Sequence, residues 1–199
     1  MKTSRLPRDG RWAVAGLTGY TALGWLFRDR PGPVEAAVFA TANHHGRNHP
    51  ALRAPQQLGT PWVLRALAGA AALRRPHLAL AAGLALPLEK ALEVGLKKVV
   101  DRERPAQADP DAVLHDDAPE DGPSYPSGHA AIAFTVVFLV SPYLPRPAVG
   151  LLVGAAAAAS AVRVSQGAHF PADAVGGVLL GLSVASVATA VVGRPETPR

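Results

Sequence analysis

The sequence predicts an all-α fold, a bundle of six transmembrane helices with a functional site at one membrane face. The chain has 199 residues, of which 49% are hydrophobic and 18% are charged. The apolar residues fall into six blocks of roughly 16–22 residues, the length of a membrane-spanning helix. The run Leu151–Ala161 carries no charge, whereas a helix of a soluble bundle carries a polar stripe. A soluble all-helical bundle is therefore the less favoured alternative.

The composition excludes several classes of protein. The apolar content is too high for an intrinsically disordered chain. The absence of cysteine excludes a disulfide scaffold and a cysteine-ligated zinc module. The formal net charge of +5 suits a phosphate ligand or a membrane surface. We expect the bilayer, and not nucleic acid, as a partner.

The first block, Trp12–Phe27, spans about 24 Å as a helix, which suits an anchor in a bilayer. Four basic residues precede it, as in a signal peptide: Lys2, Arg5, Arg8 and Arg11. The charged run 28–31 follows at once, where a signal peptide has small residues. We therefore predict an uncleaved anchor, and Ala40–Ala42 leaves cleavage open as an alternative.

Residues 31–57 have a mixed character. After the break at Pro31–Pro33, the stretch Val34–Ala42 predicts a helix at the membrane interface. Three histidines follow: His44, His45 and His49. They suggest either a metal site or a polar surface loop. The loop is preferred because no carboxylate accompanies them at ligand spacing, and no metal ion is predicted.

Five further blocks complete the predicted bundle: Leu58–Leu73, His77–Leu96, His129–Leu144, Ala148–Val164 and Pro171–Val192. Their many Ala and Gly residues allow neighbouring helices to approach closely in lipid. We divide the chain into an N-terminal anchor and interfacial segment (1–57), a core (58–192) and a C-terminal tail (193–199).

Three ionisable residues, Arg65, Glu89 and Lys90, interrupt the apolar pattern. Charges within a bilayer are costly unless they pair. The tight turn 74–76 joins the second and third blocks and brings Arg65 towards Glu89. We expect a structural ion pair between them rather than a transport site.

The orientation of the bundle follows from charge. Basic residues are divided equally between the two sides, so the positive-inside rule alone does not decide. If Lys97, Arg104 and Arg163 are held outside for chemistry, the remaining bias and the short inside loops place both termini in the cytoplasm. The site then faces the extracytoplasmic side of the cell membrane.

Three segments reach that outer face together: Lys97–Pro105, Pro126–His129 and Arg163–Asp173. They bring cations, histidines, a serine and an aspartate to one surface. Phosphate chemistry needs fixed cations for the oxygens, a nucleophile, and an acid for the leaving oxygen. The three segments together therefore indicate a phosphate site, although each one alone is also explained as an ordinary helix end.

The spacing within the segments supports this interpretation. Lys97 and Arg104 are nearly two helical turns apart, and Glu93 precedes Lys97 by one turn and can steady it. Ser127 can cap a helix, and Gly128 allows a close approach to the free N–H groups, which attract an anion.

The two histidines are candidates for the chemistry. His129 falls in the first turn of the fourth block and faces the bound anion. His169 and Asp173 are spaced i, i+4, so the carboxylate can accept the Nδ1–H of His169, which would present the Nε2 lone pair outwards and stabilise the positive charge of a covalent adduct.

At these residues the chain resembles the type 2 phosphatidic acid phosphatase superfamily, which includes vanadium haloperoxidases. The family pattern is Lys-x₆-Arg-Pro, Pro-Ser-Gly-His and Ser-Arg-x₅-His-x₃-Asp. The first two match completely. The third matches at Arg163, His169 and Asp173, with Val162 in place of the serine. The resemblance covers roughly residues 58–192.

The resemblance implies a role for each matching residue. Lys97, Arg104 and Arg163 bind the phosphoryl oxygens, and Ser127 and the Gly128 backbone assist. His169 forms a phosphohistidine, Asp173 orients it, and His129 protonates the leaving group. The family requires no metal ion and no other cofactor.

The acidic segment Ala106–Tyr125 is the least family-like part of the chain. Its carboxylates are Asp109, Asp111, Asp116, Asp117, Glu120 and Asp121. A solvated loop is preferred over a cation site, because the spacing fits no calcium loop. The loop can still cover the site between two motifs.

The expected function is that of an integral membrane lipid phosphatase. Its substrate is a phosphomonoester or diphosphate such as phosphatidate, phosphatidylglycerol phosphate or polyprenyl diphosphate. Three alternatives remain: a polyprenyl diphosphate phosphatase of cell-wall lipid recycling, a vanadate-dependent haloperoxidase, and a lipid-binding protein without turnover. The sequence does not give the oligomeric state.

Overall fold

A computed structural model describes residues 10–26, 28, 31–45, 53–115 and 118–193. Within these residues every regular element is a helix and no strand is present, so the all-α prediction is confirmed. The helices are α1 (Gly10–Leu26), α2 (Pro33–His45), α3 (Arg53–Gln56), α4 (Pro61–Ala71), α5 (Pro76–Val100), α6 (Pro105–Ala108), α7 (Gly128–Val140), α8 (Arg146–Ser165) and α9 (Pro171–Val192). Short 3₁₀ turns follow α3 and α7.

The helix ends follow local sequence signals. Proline occupies the first turn of α4, α5, α6 and α9, where its missing N–H has no intrahelical partner to lose. Helix α5 ends at Asp101, which adopts a left-handed conformation with a φ of 47°. This residue turns the chain sharply and starts the segment that carries Arg104.

Helix α9 lies at the centre of the bundle and packs against α1, α5 and α7. Two glycines one turn apart, Gly177 and Gly181, allow α7 to approach α9 closely. A Cβ at position 181 would lie 2.6 Å from the carbonyl oxygen of Ala131. Leu180 and Val184 are fully buried beside them. Small residues at this spacing are typical of tight helix contacts in membranes.

Helices α1 and α2 pack directly on the core helices. Helix α1 runs along α9, and α2 contacts α8 and α9. The inner face of α2 buries Glu35, Phe39 and Asn43, whereas Val34 and Val38 are exposed. An interfacial position for this outer face stays a prediction, as does the division of the chain at residue 58.

Within the described residues, two helices are long and apolar enough to cross a membrane: Arg146–Ser165 and Pro171–Val192. Only 33% of the most apolar part of α8 is buried inside the molecule. A helix in the core of a soluble protein buries its apolar residues, so the exposed side of α8 fits contact with lipid. The other predicted blocks coincide with α1, α4, α5 and α7, of which α4 has only 11 residues.

The predicted ion pair between Arg65 and Glu89 is wrong. Arg65 lies on the exposed side of α4, while Glu89 is fully buried. The ion pair of Glu89 is instead with its neighbour Lys90, at 3.4 Å. The hairpin brings α4 and α5 together, but the rotation of α4 about its axis directs Arg65 outwards.

The contact between α7 and α9 generates a prediction on stability. Gly181→Ala forces a methyl group against the α7 backbone, and we expect a loss of about 1–3 kcal/mol from overpacking. Thermal unfolding of the detergent-purified protein measures the effect.

Gly154→Ala is the matched control, because a Cβ at that position meets no atom within 4 Å. We expect this variant to be unchanged or stabilised by up to about 1 kcal/mol. Equal behaviour of the two variants would contradict the described packing.

Candidate active site

A cavity of about 230 Å³ lies where the C-terminal ends of α5 and α8 meet the N-terminal ends of α7 and α9. Its walls are formed by Gly59, Pro61, Lys90, Glu93, Lys97, Arg104, Pro119, Gly128, His129, Ile132, Arg163 and His169. Six of the eight predicted site residues are in this set. The other two, Ser127 and Asp173, lie behind the wall and contact residues that form it.

Lys97 is held by a carboxylate on its own helix. Its Nζ donates to Oε1 of Glu93 at 2.8 Å, and Nζ of Lys90 donates to Oε2 of the same residue at 2.5 Å. The position of Glu93 also explains Gly128, because a Cβ there would lie 2.8 Å from Cδ of Glu93. The glycine therefore makes room for the carboxylate that orients Lys97.

Arg104 is buried and fixed by backbone oxygens. Its Nε donates to the carbonyl of Asp121 at 2.7 Å, and one terminal nitrogen donates to the carbonyl of Ala168 at 2.8 Å. Burial, together with the nearby charge of Arg163, lowers the pKa of Arg104. Its guanidinium still carries a full charge at neutral pH, and a bound anion relieves the repulsion between the two cations.

Arg163 is oriented by residues that the sequence analysis did not single out. Its guanidinium donates to Oε1 of Gln166 at 2.9 Å. The amide nitrogen of Gln166 in turn donates to Oε1 of Gln56 at 3.3 Å. All three side chains are buried, so this network joins α3 to the end of α8.

The start of α7 is built around Ser127. Its Oγ accepts from the N–H of Ala130 at 3.5 Å, as predicted for a helix cap. Its own N–H donates to the carbonyl of Asp173 at 2.9 Å, which ties the start of α7 to α9. Gly128 and His129 thereby face the cavity from the positive end of the helix dipole.

Tyr125 anchors the segment that leads into α7. Its ring is fully buried and stacks on Tyr20 with the ring centroids 5.7 Å apart. Its hydroxyl donates to the carbonyl of Tyr20. Gly176 provides the space for this ring, because a Cβ there would collide with it.

His169 and Asp173 form the predicted pair. Nδ1 of His169 lies 3.5 Å from Oδ2 of Asp173, longer than an ordinary hydrogen bond. The same oxygen accepts from the N–H of Phe170 at 2.8 Å. With Nδ1 on the side of Asp173, Nε2 is the nitrogen directed away from it.

Burial is the main cause that lowers the pKa of His169, and the charges of Arg104 and Lys97 act in the same direction. Asp173 opposes them and raises the pKa, but the net shift is downwards. The imidazole is therefore neutral at neutral pH, which is the form a nucleophile requires.

A buried ion network lies directly behind Asp173. Arg102 donates to Asp173 at 2.7 Å and to Glu35 at 2.8 Å. Burial lowers the pKa of Arg102, but the Asp173 and Glu35 carboxylates outweigh it and raise the pKa overall. Neither Arg102 nor Glu35 was among the residues predicted for the site. The signal available in the sequence was the position of Arg102 between Lys97 and Arg104.

The acidic segment borders the cavity. Pro119 forms part of the wall, and the carbonyl of Asp121 accepts a hydrogen bond from Nε of Arg104. Asn43 of α2 fixes the first part of the segment through its side-chain amide, with bonds of 2.7 and 2.8 Å to the backbone of Val113. Asp116 and Asp117 lie outside the described residues.

The histidines at the end of α2 and beyond it do not join the site in the part of the chain that is described. Nε2 of His44 forms a hydrogen bond with the carbonyl of Asp111 at 2.9 Å. The side chain of His45 and the whole of His49 lie outside the described residues. Among those described, no group of three or more metal-ligating side chains is present.

The arrangement therefore combines three fixed cations, a helix start and two histidines around one cavity. Cations and backbone N–H groups at a helix start bind a tetrahedral anion and stabilise charge on its oxygens. A neutral, oriented imidazole beside that anion supplies a nucleophile. These are the parts needed to transfer a phosphoryl group.

A family model described as the PAP2 superfamily matches residues 78–196, which is more than half of the chain. The chain belongs to the PAP2 superfamily. The decaprenylphosphoryl-5-phosphoribose phosphatase of Mycobacterium tuberculosis is 32% identical over 139 residues, covering 69% of this chain and 75% of that protein. The resemblance drawn from the three motifs is thus confirmed.

Two solved structures have similar folds. The crystal structure of Aquifex aeolicus LpxE has a TM-score of 0.68 and 26% identity, covering 81% of this chain and 95% of that one. The transmembrane PAP2-type phosphatidylglycerolphosphate phosphatase from Bacillus subtilis has a TM-score of 0.64 and 21% identity, covering 90% and 94%. The family and the relatives together identify this PAP2 protein as a phosphoric monoester hydrolase.

The environment of His169 generates a prediction on pH dependence. Because its pKa lies below the usual value, we expect the acid limb of kcat/KM to fall below about pH 6.5. Asp173→Asn removes the charge that raises this pKa, so the limb moves further towards acid, and kcat falls by roughly 100-fold or more. A pH–rate profile of both proteins measures the shift. A limb that moves to higher pH in Asp173→Asn would contradict the described electrostatics.

Proposed function

We propose that the protein is an integral membrane phosphatase that hydrolyses the phosphoryl group of a lipid phosphate through a phosphohistidine on His169. The observation that carries the proposal is the position of His169, with the neutral imidazole and the three cations on one cavity. The phosphatase names of the relatives support the reaction type.

The first step transfers the phosphoryl group to the enzyme. Nε2 of His169 attacks phosphorus, and the bond from phosphorus to the leaving oxygen breaks. His129 donates a proton to that oxygen as it leaves. Lys97, Arg104 and Arg163, with the backbone at Gly128 and the cap residue Ser127, hold the other phosphoryl oxygens throughout.

The second step returns the enzyme to its starting form. A water molecule attacks the phosphohistidine and gives its proton to His129, and the bond from phosphorus to Nε2 breaks to release inorganic phosphate. Asp173 keeps Nδ1–H directed towards itself and stabilises the positive charge that the phosphorylated ring carries. Besides the substrate and one water molecule, these steps use only side chains and backbone groups of the chain.

The substrate we propose is a lipid whose phosphate projects at the membrane surface. A prenyl-linked phosphate is the first candidate, since the relative from Mycobacterium tuberculosis is named for a decaprenyl-linked sugar phosphate. Phosphatidate, phosphatidylglycerol phosphate and polyprenyl diphosphate are the other candidates. Gly59, Pro61 and Ile132 also line the cavity. These small and apolar residues suit the part of a lipid next to its head group.

The membrane arrangement we propose has six spanning segments, at α1, α4, α5, α7, α8 and α9. Exposed apolar side chains on several of these helices support contact with lipid, including Leu80 of α5, Leu151 of α8 and Val191 of α9. At the end opposite the cavity, Arg74 and Arg75 lie in the turn before α5, and Arg146 is the first residue of α8. Cations at that end support its placement in the cytoplasm and the cavity on the extracytoplasmic side.

The nucleophile assignment predicts that His169→Ala lowers phosphate release by at least about 10³-fold for every lipid substrate. The measurement is phosphate release from a panel of prenyl phosphates and glycerolipid phosphates in detergent, with and without a chelator. In the wild-type protein, alkaline quenching during turnover traps phosphate on histidine.

His77→Ala is the matched control, because His77 begins α5 at the end of the bundle opposite the cavity. We expect it to keep the wild-type rate. Retained turnover in His169→Ala would remove the nucleophile from the proposal, and an inactive wild-type protein on the whole panel would remove the substrate class.

The orientation predicts a difference between two engineered cysteines. The chain has no cysteine, so single substitutions are labelled without background. Glu120→Cys lies on the cavity side and Leu73→Cys lies in the turn before α5, where Leu73 is 97% exposed. In intact cells, a membrane-impermeant maleimide is expected to label position 120 alone. Labelling of position 73 alone would reverse the topology.

A further inference from the structure

We propose that Arg102 and Glu35 are positioning residues of the reaction, which act by fixing the Asp173 carboxylate behind His169. The inference rests on the proposed function of His169 as nucleophile. It adds two residues to which the three motifs assign no role: Arg102, at an unspecified position of the first motif, and Glu35 on α2.

The bridge is short and completely enclosed. Arg102 donates one terminal nitrogen to Oδ1 of Asp173 at 2.7 Å and the other to Oε2 of Glu35 at 2.8 Å. The side chain of Arg102 is only 2% exposed, and that of Asp173 is fully buried. Its guanidinium also lies over the ring of Phe170, with Cζ 4.8 Å from the ring centroid.

Every carboxylate oxygen of the bridge has a partner. The second oxygen of Glu35 accepts from the N–H of Ala172 at 2.9 Å, and the second oxygen of Asp173 accepts from the N–H of Phe170 at 2.8 Å. The two acids are thus held by the same guanidinium and by the backbone at the start of α9. The Asp173 carboxylate cannot rotate without breaking one of these bonds.

Stability alone does not explain such a bridge. Removing three charged groups from water is costly, and a well-packed apolar group often stabilises a fold as well or better. What a planar guanidinium does provide is a fixed orientation for the carboxylates that it binds. Because the Asp173 carboxylate lies beside Nδ1 of His169, a fixed carboxylate also fixes the orientation of the imidazole ring.

The bridge also sets the charge behind the imidazole. Two carboxylates and one guanidinium leave one net negative charge, which stabilises a positively charged ring. Other charged or titratable groups act on this pair from neighbouring elements. Lys97 and Arg104 act on His169 from α5 and the segment after it, and Tyr125 lies close enough to Asp173 for the carboxylate to raise the pKa of its buried phenol.

The test separates charge from geometry with three variants. Glu35→Gln removes one negative charge, so the acid limb of kcat/KM moves to lower pH. Arg102→Gln removes the positive charge, so the limb moves to higher pH, by roughly 1 pH unit. Arg102→Lys keeps the charge but cannot hold both acids, so the limb stays in place while kcat falls on the order of 100-fold.

Glu103→Gln and Lys98→Gln are the matched controls. Both side chains are exposed and lie close to Arg102 in the sequence, and they carry the same charges as Glu35 and Arg102 respectively. We expect the wild-type rate and profile for both. The ¹⁵N chemical shifts of His169 followed against pH report the same opposite displacements in the resting protein, without any need for turnover. Circular dichroism confirms that each variant is folded.

The proposal is supported if the acid limb of kcat/KM moves in opposite directions in Glu35→Gln and Arg102→Gln, and if Arg102→Lys loses rate without a shift of the limb. A uniform loss of rate with unchanged limbs and an unchanged His169 titration would show a structural role only and overturn it. If His169→Ala keeps full activity while these displacements occur, the proposed nucleophile fails and the electrostatic bridge stands.

Discussion

Mutual repulsion among clustered cations is the constraint on which the cavity end of this molecule depends. Lys97, Arg104 and Arg163 face one cavity, and like charges in a space with little water repel strongly. The fold compensates each of them separately. Glu93 pairs with Lys97, backbone carbonyls accept from Arg104, and the Gln166 side chain accepts from Arg163. The cations are therefore held in place before any anion arrives, which is the preorganisation that phosphoryl transfer requires.

The tight packing at the centre of the bundle makes this arrangement possible. Asp173 lies in the first turn of α9 and His169 lies just before that helix, whereas Gly128 and His129 are the first residues of α7. The contact through Gly177 and Gly181 brings the two helix starts side by side. The hydrogen bond from the N–H of Ser127 to the carbonyl of Asp173 then fixes the position of one helix start relative to the other along the bundle. A bulkier α9 would separate the two histidines from each other.

The N-terminal helices contribute to the site although the motifs lie elsewhere. Glu35 of α2 reaches the bridge behind Asp173, and Asn43 of the same helix holds the acidic segment beside the cavity. In helix α1, the carbonyl of Tyr20 accepts a hydrogen bond from the hydroxyl of Tyr125. Both helices therefore support, from behind, the segments that form the cavity and make them more rigid.

The sequence by itself determined the helical blocks, the proline-marked helix starts and the three motifs predicted to bind a phosphate. Periodicity, caps and residue type are local properties, so the sequence could predict that the eight site residues lie together, and six of them line one cavity. Only the tertiary structure decided the partners across long separations, such as Glu35 with Ala172, which are 137 residues apart. It also showed that Arg65 faces outwards and that Gly128 makes room for Glu93. The rotation of each helix about its axis depends on packing against all its neighbours, and a pattern read along one chain does not contain it.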